Sequence, residues 1–176
     1  MKFTATGLDG AYLLEWEPRS DERGFFAETR SNSAFATHGL NNNLTECSLS
    51  FNHRRGTLRG MHYQVAPSMQ NKLVSCIRGR VFDAIVDLRP DSKTYLKSFG
   101  AELSLDNRQM LYVPQGVAHG FVTLEEQTIV QYQIGGDYAP EAARGVRWND
   151  PSINIEWPLQ PAVIADRDRD YEDFLP

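Results

Sequence analysis

The clearest signal of the fold class lies in residues 72–88, which read KLVSCIRGRVFDAIVDL. Two runs rich in aliphatic and β-branched residues, 72–77 and 81–88, flank Arg78-Gly79-Arg80. A central glycine between two such runs is typical of a β-hairpin with a three-residue loop. The stretch therefore predicts two neighbouring antiparallel strands.

Similar strand-type runs recur along the chain. They lie at residues 11–16, 24–29, 101–105, 110–113, 121–124 and 128–134, with turn residues between several of them. The best helix candidate is short, Ser33 to His38, and ends at Gly39. Many short strands with few helical patterns indicate an antiparallel sandwich or barrel. We therefore expect a single all-β domain over residues 1–176 with a few short helices.

Length and composition restrict the class of protein. The chain has 176 residues with 18 basic and 23 acidic side chains, a formal net charge of −5, and a chain of this size buries roughly 70% of its unfolded surface without disulfides. No apolar run approaches the roughly 20 residues of a membrane span, and Met1-Lys2-Phe3-Thr4 does not begin a signal peptide. Cys47 and Cys76 make no disulfide framework, and we expect both to be buried thiols. The composition predicts a cytoplasmic protein that binds neither membranes nor nucleic acid, since nucleic-acid binding requires a basic face.

The alternation of side chains along residues 72–77 leaves the orientation of Lys72 open. Successive residues of a strand point to opposite faces, so Lys72 shares a face with Val74 and Cys76, while Leu73 lies on the other. Either face suits the core. If the face with Lys72 is buried, the ammonium needs hydrogen-bond or ionic partners or a functional role, because burying an isolated charge is costly. If the other face is buried, Lys72 points to solvent.

The densest cluster of titratable side chains lies at residues 53–64, HRRGTLRGMHYQ. Its glycines let the backbone approach a ligand closely, and its arginines suit bidentate contacts with phosphate. We interpret Arg54 and Arg55 as part of a solvated basic loop. Arg59 and His62 are the better candidates for a functional site.

His119 follows a Pro-x-Gly turn within residues 113–121. The spacing Pro-x-Gly-x-x-His matches the second motif of cupins, small β-barrels that often place metal ligands on it. The first cupin motif requires a second histidine two positions after the first, and here Tyr63 and Gln64 follow His62. Two histidines without a matched carboxylate are a poor ligand set for zinc, iron or manganese, so we expect no bound metal.

Two C-terminal features have ordinary structural interpretations by themselves. The alternating charges of residues 166–170, DRDRD, are typical of a solvated tail. The segment Trp148-Asn149-Asp150-Pro151, followed by Trp157-Pro158, indicates aromatic packing and a rigid turn. Neither pattern predicts a function without a further observation.

Six segments together resemble the dTDP-4-dehydrorhamnose 3,5-epimerase family. In the family's order and spacing they are DERGFF at 21–26, LRGMHYQ at 58–64, KLV at 72–74, VDLR at 86–89, VPQGVAHGF at 113–121 and WNDP at 148–151. Each motif alone is weak evidence for the family, but six motifs in the family's order and spacing are specific to it. The resemblance implies a cupin-type double-stranded β-helix, that is, a jelly-roll barrel, without a metal or other cofactor. It also implies a homodimer whose subunits exchange an N-terminal strand.

The resemblance further implies an isomerase whose substrate is a 4-keto-6-deoxyhexose linked to thymidine diphosphate. Carbons 3 and 5 flank the ketone, so a proton can be removed from one face and returned to the other, which inverts C3, C5 or both. His62 matches the general base of the family, and Asp168 matches the carboxylate that orients it. Lys72 matches the cation that stabilises the enolate, and Tyr132 matches the tyrosine that protonates from the opposite face.

Substrate contacts also carry over from the family. Arg23 and Arg59 match residues that contact the diphosphate and sugar, and Glu28 matches a residue near the nucleobase. Tyr138 matches an aromatic residue that stacks on the base or sugar, and His119 matches a histidine that positions the substrate. The predicted substrate-binding set is completed by Phe25, Glu46, Ser48 and Arg167. The chain departs from the family pattern at residues 46–50, ECSLS, where many members read Gln-x-Asn-x-Ser. It also has Ala165 in place of the usual serine and Arg167 in place of the usual lysine. These departures leave open which nucleotide sugar is used and which carbons are inverted.

Three other functions stay open from the sequence. One is a mono-epimerase that acts on C3 or C5 alone or on a different nucleotide sugar. The second is a metal-dependent cupin oxygenase or isomerase, which the incomplete histidine motif disfavours. The third is a sugar-binding module without catalysis.

Overall fold

A computed structural model of the protein describes residues 1–175, most of whose regular structure is antiparallel strand. The strands are β1 (Lys2–Ala5), β2 (Tyr12–Glu15), β3 (Arg19–Asp21), β4 (Gly24–Phe26), β5 (Glu46–Asn52), β6 (Thr57–Gln64), β7 (Asn71–Arg78), β8 (Arg80–Asp87), β9 (Ser98–Ser104), β10 (Gln109–Val113), β11 (Val117–Thr123), β12 (Thr128–Gly135), β13 (Ala143–Gly145) and β14 (Val163–Ile164). Two short helices, α1 (Asn32–Thr37) and α2 (Asp166–Arg169), and a 3₁₀ turn at Pro140–Ala142 complete the regular elements. The predicted all-β fold with few short helices is confirmed.

The strands form two large sheets and a separate hairpin. The first sheet has the order β1-β2-β10-β7-β12-β5, and the second has the order β13-β6-β11-β8-β9. The strands β3 and β4 pair only with each other, and β14 adds to β6 in parallel. The β5 strand is therefore an edge of the first sheet, with one side of its backbone unpaired within that sheet.

Three hydrophobic clusters cover the faces of the central strands. The cluster between the sheets combines Val74 and Cys76 of the first sheet with Ile85 and Phe121 of the second. A second cluster, which includes Leu73 and Phe35 of α1, covers the opposite face of β7. A third cluster covers the outer face of the second sheet with residues 146–157. Both faces of β7 are thus buried, and Lys72 lies on the face that points between the sheets.

Several sequence expectations need correction. The predicted hairpin of residues 72–88 is wrong: β7 pairs with β10 and β12 in the first sheet, whereas β8 pairs with β11 and β9 in the second. The chain passes from one sheet to the other at Gly79, which has φ +72° and where a Cβ would lie 2.5 Å from Thr128 Oγ1. Six strands were not predicted: β1, β3, β5, β6, β13 and β14. Cys47 is exposed instead of buried, while Cys76 is buried as expected. On the edge strand β5, the odd-numbered residues from 47 to 51 face outward, and this phase exposes the Cys47 thiol.

Among residues 1–175, no helix has the length and apolar character needed to cross a membrane.

A buried carboxylate ties the segment after β8 to the second sheet. Asp87 is inaccessible to solvent, and it accepts hydrogen bonds from Arg89 Nε at 2.8 Å, Ser92 Oγ at 2.5 Å and Thr94 Oγ1 at 2.6 Å. Burial opposes the charged form, but these hydrogen bonds prevail and lower the pKa of Asp87 to about 2. The charge of Asp87 therefore contributes to the stability of the fold.

We predict that Asp87→Asn lowers the free energy of unfolding by about 2 kcal/mol at neutral pH, because it weakens a buried charge-assisted network. The pKa of Asp87 in the folded protein, about 2, lies below the roughly 3.9 of an unfolded aspartate. Its stabilising effect is thus complete above that value and is lost as the pH falls toward 2. Urea unfolding at pH 7, 4 and 3 should show the difference from wild type shrinking with acid.

The matched control is Asp91→Asn, which changes an exposed carboxylate on the same segment. It should leave the free energy of unfolding within about 0.5 kcal/mol of wild type. Equal stability of Asp87→Asn and Asp91→Asn at neutral pH would contradict the assignment.

Candidate active site

A cavity of about 340 Å³ opens between the two sheets. It is lined from β6, β11 and β13 of the second sheet, from β5, β7 and β12 of the first sheet, and from α2. Eight predicted site residues line it: Arg59, His62, Lys72, His119, Tyr132, Tyr138, Arg167 and Asp168. The structure therefore brings the four predicted catalytic side chains into one cavity.

His62 and Asp168 form a hydrogen-bonded pair at this cavity. His62 Nε2 lies 2.7 Å from Asp168 Oδ1, and the Gly60 N–H donates to Asp168 Oδ2 at 3.0 Å. An ionised carboxylate only accepts hydrogen bonds, so Nε2 carries the proton and Nδ1 is the basic nitrogen of the neutral ring. Burial favours the neutral acid, but the bonds from His62 and Gly60, together with the charge of Arg167, lower the pKa of Asp168. The carboxylate of Asp168 thus fixes the orientation of the His62 ring.

The backbone around Gly60 explains how Asp168 reaches the histidine. The parallel pairing of β14 with β6 aligns Val163 with Thr57 and leads the chain directly into α2. Gly60 has φ +126°, and a Cβ there would lie 2.5 Å from Gly120 Cα, so only glycine fits. Asp168 is 5% exposed, and the prediction of a solvated charged tail is wrong for this residue.

Lys72 enters the cavity from β7. Its Nζ donates to the His62 carbonyl oxygen at 3.2 Å. Burial lowers the pKa of Lys72 to about 8, while the negative charge of Asp83 acts in the opposite direction. The ammonium is therefore held in an environment where a nearby negative charge is favoured.

Asp83 is a member of this group that the sequence analysis missed. It is fully buried on β8, and its Oδ1 lies 2.8 Å from His119 Nε2. Its Oδ2 has no hydrogen-bond partner among residues 1–175. Burial lowers the pKa of His119, with Asp83 acting in the opposite direction. Asp83 shares a strand face with Val81 and Ile85, so the alternation that drew attention to Lys72 also points to Asp83.

Tyr132 packs its ring edge-to-face against the His119 ring, with centroids 5.9 Å apart. Burial raises the pKa of Tyr132 well above the ordinary value, and the charge of Asp83 raises it further. The phenol therefore keeps its proton at neutral pH and can donate it.

Three arginines line the cavity, and each is hydrogen-bonded to a neutral oxygen. Arg59 Nε donates to Asn52 Oδ1 at 2.8 Å, and Arg167 Nε donates to the Tyr171 hydroxyl at 2.8 Å. Arg144, which the sequence analysis missed, donates to the carbonyl oxygens of residues 141 and 143. Because these acceptors are uncharged, the positive charge at the cavity stays available to an anion.

Five predicted binding residues do not line the cavity of a single chain. Arg23, Phe25 and Glu28 are exposed in and after the β3–β4 hairpin, where Arg23 pairs with Asp21. Glu46 and Ser48 lie on β5, on the strand face that also carries Ser50, which does line the cavity. A role in substrate binding for these five residues stays a prediction.

Within residues 1–175, no three side chains of His, Cys, Asp or Glu are grouped so as to hold a metal ion. His62 and His119 each face a separate carboxylate, Asp168 and Asp83 respectively.

Comparison with known proteins gives the family. A family model described as dTDP-4-dehydrorhamnose 3,5-epimerase matches residues 5–175. The chain belongs to this family. It is 41% identical over 174 residues to the dTDP-4-dehydrorhamnose 3,5-epimerase of Methanothermobacter thermautotrophicus, a match that covers 97% of this chain and 93% of the relative.

Other members of the family extend the comparison. The crystal structure of the dTDP-4-dehydrorhamnose 3,5-epimerase of Bacillus anthracis, with TDP and PPi bound, has a TM-score of 0.94 at 38% identity and covers 98% of this chain and 99% of that chain. A dTDP-4-dehydrorhamnose 3-epimerase of Streptomyces niveus is 34% identical, covering 97% of this chain and 82% of the relative. The predicted family, the cupin-type fold and the carbohydrate-epimerase class are confirmed.

We predict that Asp83→Asn lowers the pKa of Lys72 further below its value of about 8. The substitution removes the negative charge that favours the ammonium, while the burial that disfavours it stays. The measurement is the pH dependence of the Lys72 signal in an NMR titration of ¹³C-methylated protein. Asp91→Asn, which changes an exposed carboxylate outside the cavity, is the control. An unchanged Lys72 titration in Asp83→Asn would show that the two groups do not interact.

Proposed function

We propose that this epimerase acts on a nucleotide-linked 4-keto-6-deoxyhexose of the dTDP-4-dehydro-6-deoxyglucose type and inverts the carbons next to the C4 ketone. One observation carries the proposal. His62 of β6 and Tyr132 of β12 line the same cavity and come from opposite sheets. A base and an acid on two sides of one substrate are what inversion of a carbon requires.

In the proposed reaction His62 removes the proton on a carbon α to the ketone. The electron pair of the broken C–H bond moves into the ring and places a negative charge on the C4 oxygen, and the Lys72 ammonium stabilises this enolate. Tyr132 then gives its proton to the other face of the carbon as the charge on oxygen returns to a carbonyl. Protonated His62 and deprotonated Tyr132 exchange protons with solvent before the next turnover.

The electrostatics of the cavity support these roles. The lowered pKa of Asp168 keeps a carboxylate beside the imidazole, which favours the imidazolium formed in the first step. The raised pKa of Tyr132 keeps the donor protonated until an adjacent carbanion needs the proton. Lys72 has a pKa of about 8, and an enolate oxygen beside it would favour the ammonium.

The cationic wall of the cavity supports a diphosphate as part of the ligand. Arg59, Arg144 and Arg167 carry guanidinium groups whose geometry suits phosphate oxygens. Tyr138 is 60% exposed at the same cavity, where a planar base could stack on it. The two free cysteines are compatible with a reducing compartment, and we place the enzyme in the cytoplasm.

Inversion of a single carbon is the second candidate. It is favoured by the match to the 3-epimerase of Streptomyces niveus and by the presence of Glu46 and Ser48 where the family pattern has amides. The number of protons exchanged with solvent distinguishes the two reactions.

We predict that wild-type enzyme in deuterated water incorporates two deuterons into dTDP-4-dehydro-6-deoxyglucose if both carbons react, and one if a single carbon reacts. His62→Ala should lower the exchange rate about 10³-fold, because it removes the base. Tyr132→Phe should keep exchange within about tenfold of wild type and lower inversion by about 10²-fold, because it removes only the donor on the second face. Mass spectrometry measures exchange, and NMR of the product measures inversion.

The control for the histidine variant is His53→Ala, an exposed histidine on the turn before β6. It should exchange at the wild-type rate. Absence of exchange by wild type with 4-keto-6-deoxy nucleotide sugars would overturn the proposed function, and wild-type exchange by His62→Ala would overturn the role of His62.

We also propose that the protein acts as a homodimer. The β3–β4 hairpin contacts no other strand by pairing, and its residues Phe25 and Phe26 are 52% and 75% exposed. The edge strand β5 exposes Leu49 and Phe51 on its outer face. A second copy of the chain that covers these side chains would remove apolar surface from water and could bring the Arg23 hairpin to the neighbouring cavity.

Mixing two inactive variants tests this arrangement. If the hairpin of one subunit serves the cavity of the other, Arg23→Ala and His62→Ala are each impaired, and a hybrid dimer has one intact site. Random subunit exchange should then restore about a quarter of wild-type activity, because about half the dimers are hybrids with one working site of two. Arg19→Ala, which removes the same charge from β3, is the control. A monomer in sedimentation analysis, or verified hybrids without recovered activity, would contradict the proposal.

A further inference from the structure

Tyr171 lies immediately beyond α2 and packs onto the strand beside the catalytic histidine. A Cβ on Gly145 would lie 2.1 Å from Tyr171 Cζ and 2.5 Å from its hydroxyl oxygen. Gly145 is the residue of β13 that pairs with His62, and the rings of Tyr171 and His62 meet edge-to-face with centroids 6.4 Å apart. The tyrosine ring therefore occupies space that only a glycine leaves open.

The same tyrosine holds an arginine of the cavity. The Tyr171 hydroxyl accepts a hydrogen bond from Arg167 Nε at 2.8 Å, and the Arg167 guanidinium carbon lies 6.0 Å from the centre of the Tyr171 ring. Arg167 lines the cavity, whereas Tyr171 is absent from its lining. Any effect of the Tyr171 hydroxyl on a ligand would thus pass through the arginine.

We propose that Tyr171 is a positioning residue that presents Arg167 to the diphosphate of the substrate, an inference that rests on the proposed function. A hydrogen bond at Nε uses one edge of the guanidinium and leaves the two terminal nitrogens as a fork. Such a fork matches two oxygens of a phosphate group. Arg167 is an exposed side chain, and because arginine has many rotamers, fixing it before the ligand arrives lowers the conformational entropy lost on binding.

The acceptor on Tyr171 is suited to this purpose because it is neutral. Arg169, on the same helical turn, pairs instead with the carboxylates of Asp166 and Asp170. A carboxylate at the position of the Tyr171 hydroxyl would offset the charge of Arg167 and weaken its attraction for an anion. The phenol orients the guanidinium without placing a further negative charge beside it.

The test measures the affinity of the full-length protein for thymidine diphosphate by calorimetry. Tyr171→Phe, which keeps the ring and removes the hydroxyl, should raise the dissociation constant about three- to tenfold. Gly145→Ala, which displaces the ring, should raise it at least as much. With the nucleotide sugar, KM in the deuterium-exchange assay should rise more than kcat falls, because the lost interaction concerns binding.

A double-mutant cycle shows whether the tyrosine acts through the arginine. Arg167→Ala should raise the dissociation constant by about tenfold, and adding Tyr171→Phe to it should have no further effect. Arg169→Ala is the matched control and should bind thymidine diphosphate like wild type.

Other results would overturn the inference, each for a different reason. Unchanged affinity in Tyr171→Phe removes the role of the hydroxyl. An equal loss of affinity with and without Arg167 shows that the hydroxyl does not act through that residue. A fall in kcat with unchanged KM would show that Tyr171 acts on His62 and not on Arg167. If wild type does not bind thymidine diphosphate, the proposed substrate class fails and this inference fails with it, whereas tight binding without a Tyr171 effect overturns this inference alone.

Discussion

The site depends on one carboxylate that joins two distant parts of the chain. Asp168 accepts a hydrogen bond from the backbone of Gly60 and pairs with His62, which lies 106 positions earlier. It is carried by a helix of four residues, too short to be stable without tertiary contacts. The parallel β14–β6 pairing holds the chain before this helix, and the packing of Tyr171 on Gly145 holds it afterwards. The geometry of the catalytic pair is therefore a property of the whole C-terminal segment.

A cluster of four polar side chains lies deeper between the sheets, at positions where packing alone would favour apolar side chains. Lys72, Asp83, His119 and Tyr132 are placed at or beside a core made of aliphatic and aromatic residues. Burying such groups is costly even when they are paired, and one oxygen of Asp83 has no hydrogen-bond partner among residues 1–175. Burial lowers the pKa of Lys72 to about 8, and the negative charge of Asp83 opposes this effect. Groups arranged in this way are more typical of a reaction than of a structural core.

Local pattern was sufficient for the existence of several strands and not for their pairing. Two runs of aliphatic and β-branched residues predicted β7 and β8, but these strands lie in different sheets instead of forming a hairpin. Both faces of β7 are buried, so alternation alone could not show that Lys72 lies on the face between the sheets. The β6 strand was hidden because its cationic residues and Gly60 resemble a loop. Asp168 lies in a charge run whose ordinary interpretation is a solvated tail, and the two-residue pairing of β14 that buries it carries no sequence signal. Only the family resemblance identified Asp168 in advance.

The arginines at the cavity donate their hydrogen bonds to uncharged acceptors. Outside the cavity, Arg80 and Arg89 are paired with carboxylates, while Arg55 and Arg78 donate to uncharged oxygens. At the cavity, the hydrogen bonds of Arg59, Arg144 and Arg167 go to an amide, to backbone carbonyls and to a phenol. The chain has more acidic than basic side chains, with a net charge of −5. Uncharged acceptors at three cavity positions nevertheless leave local positive charge that an anionic ligand can use. The overall charge disfavours long polyanions, while this local excess suits a small one such as a diphosphate.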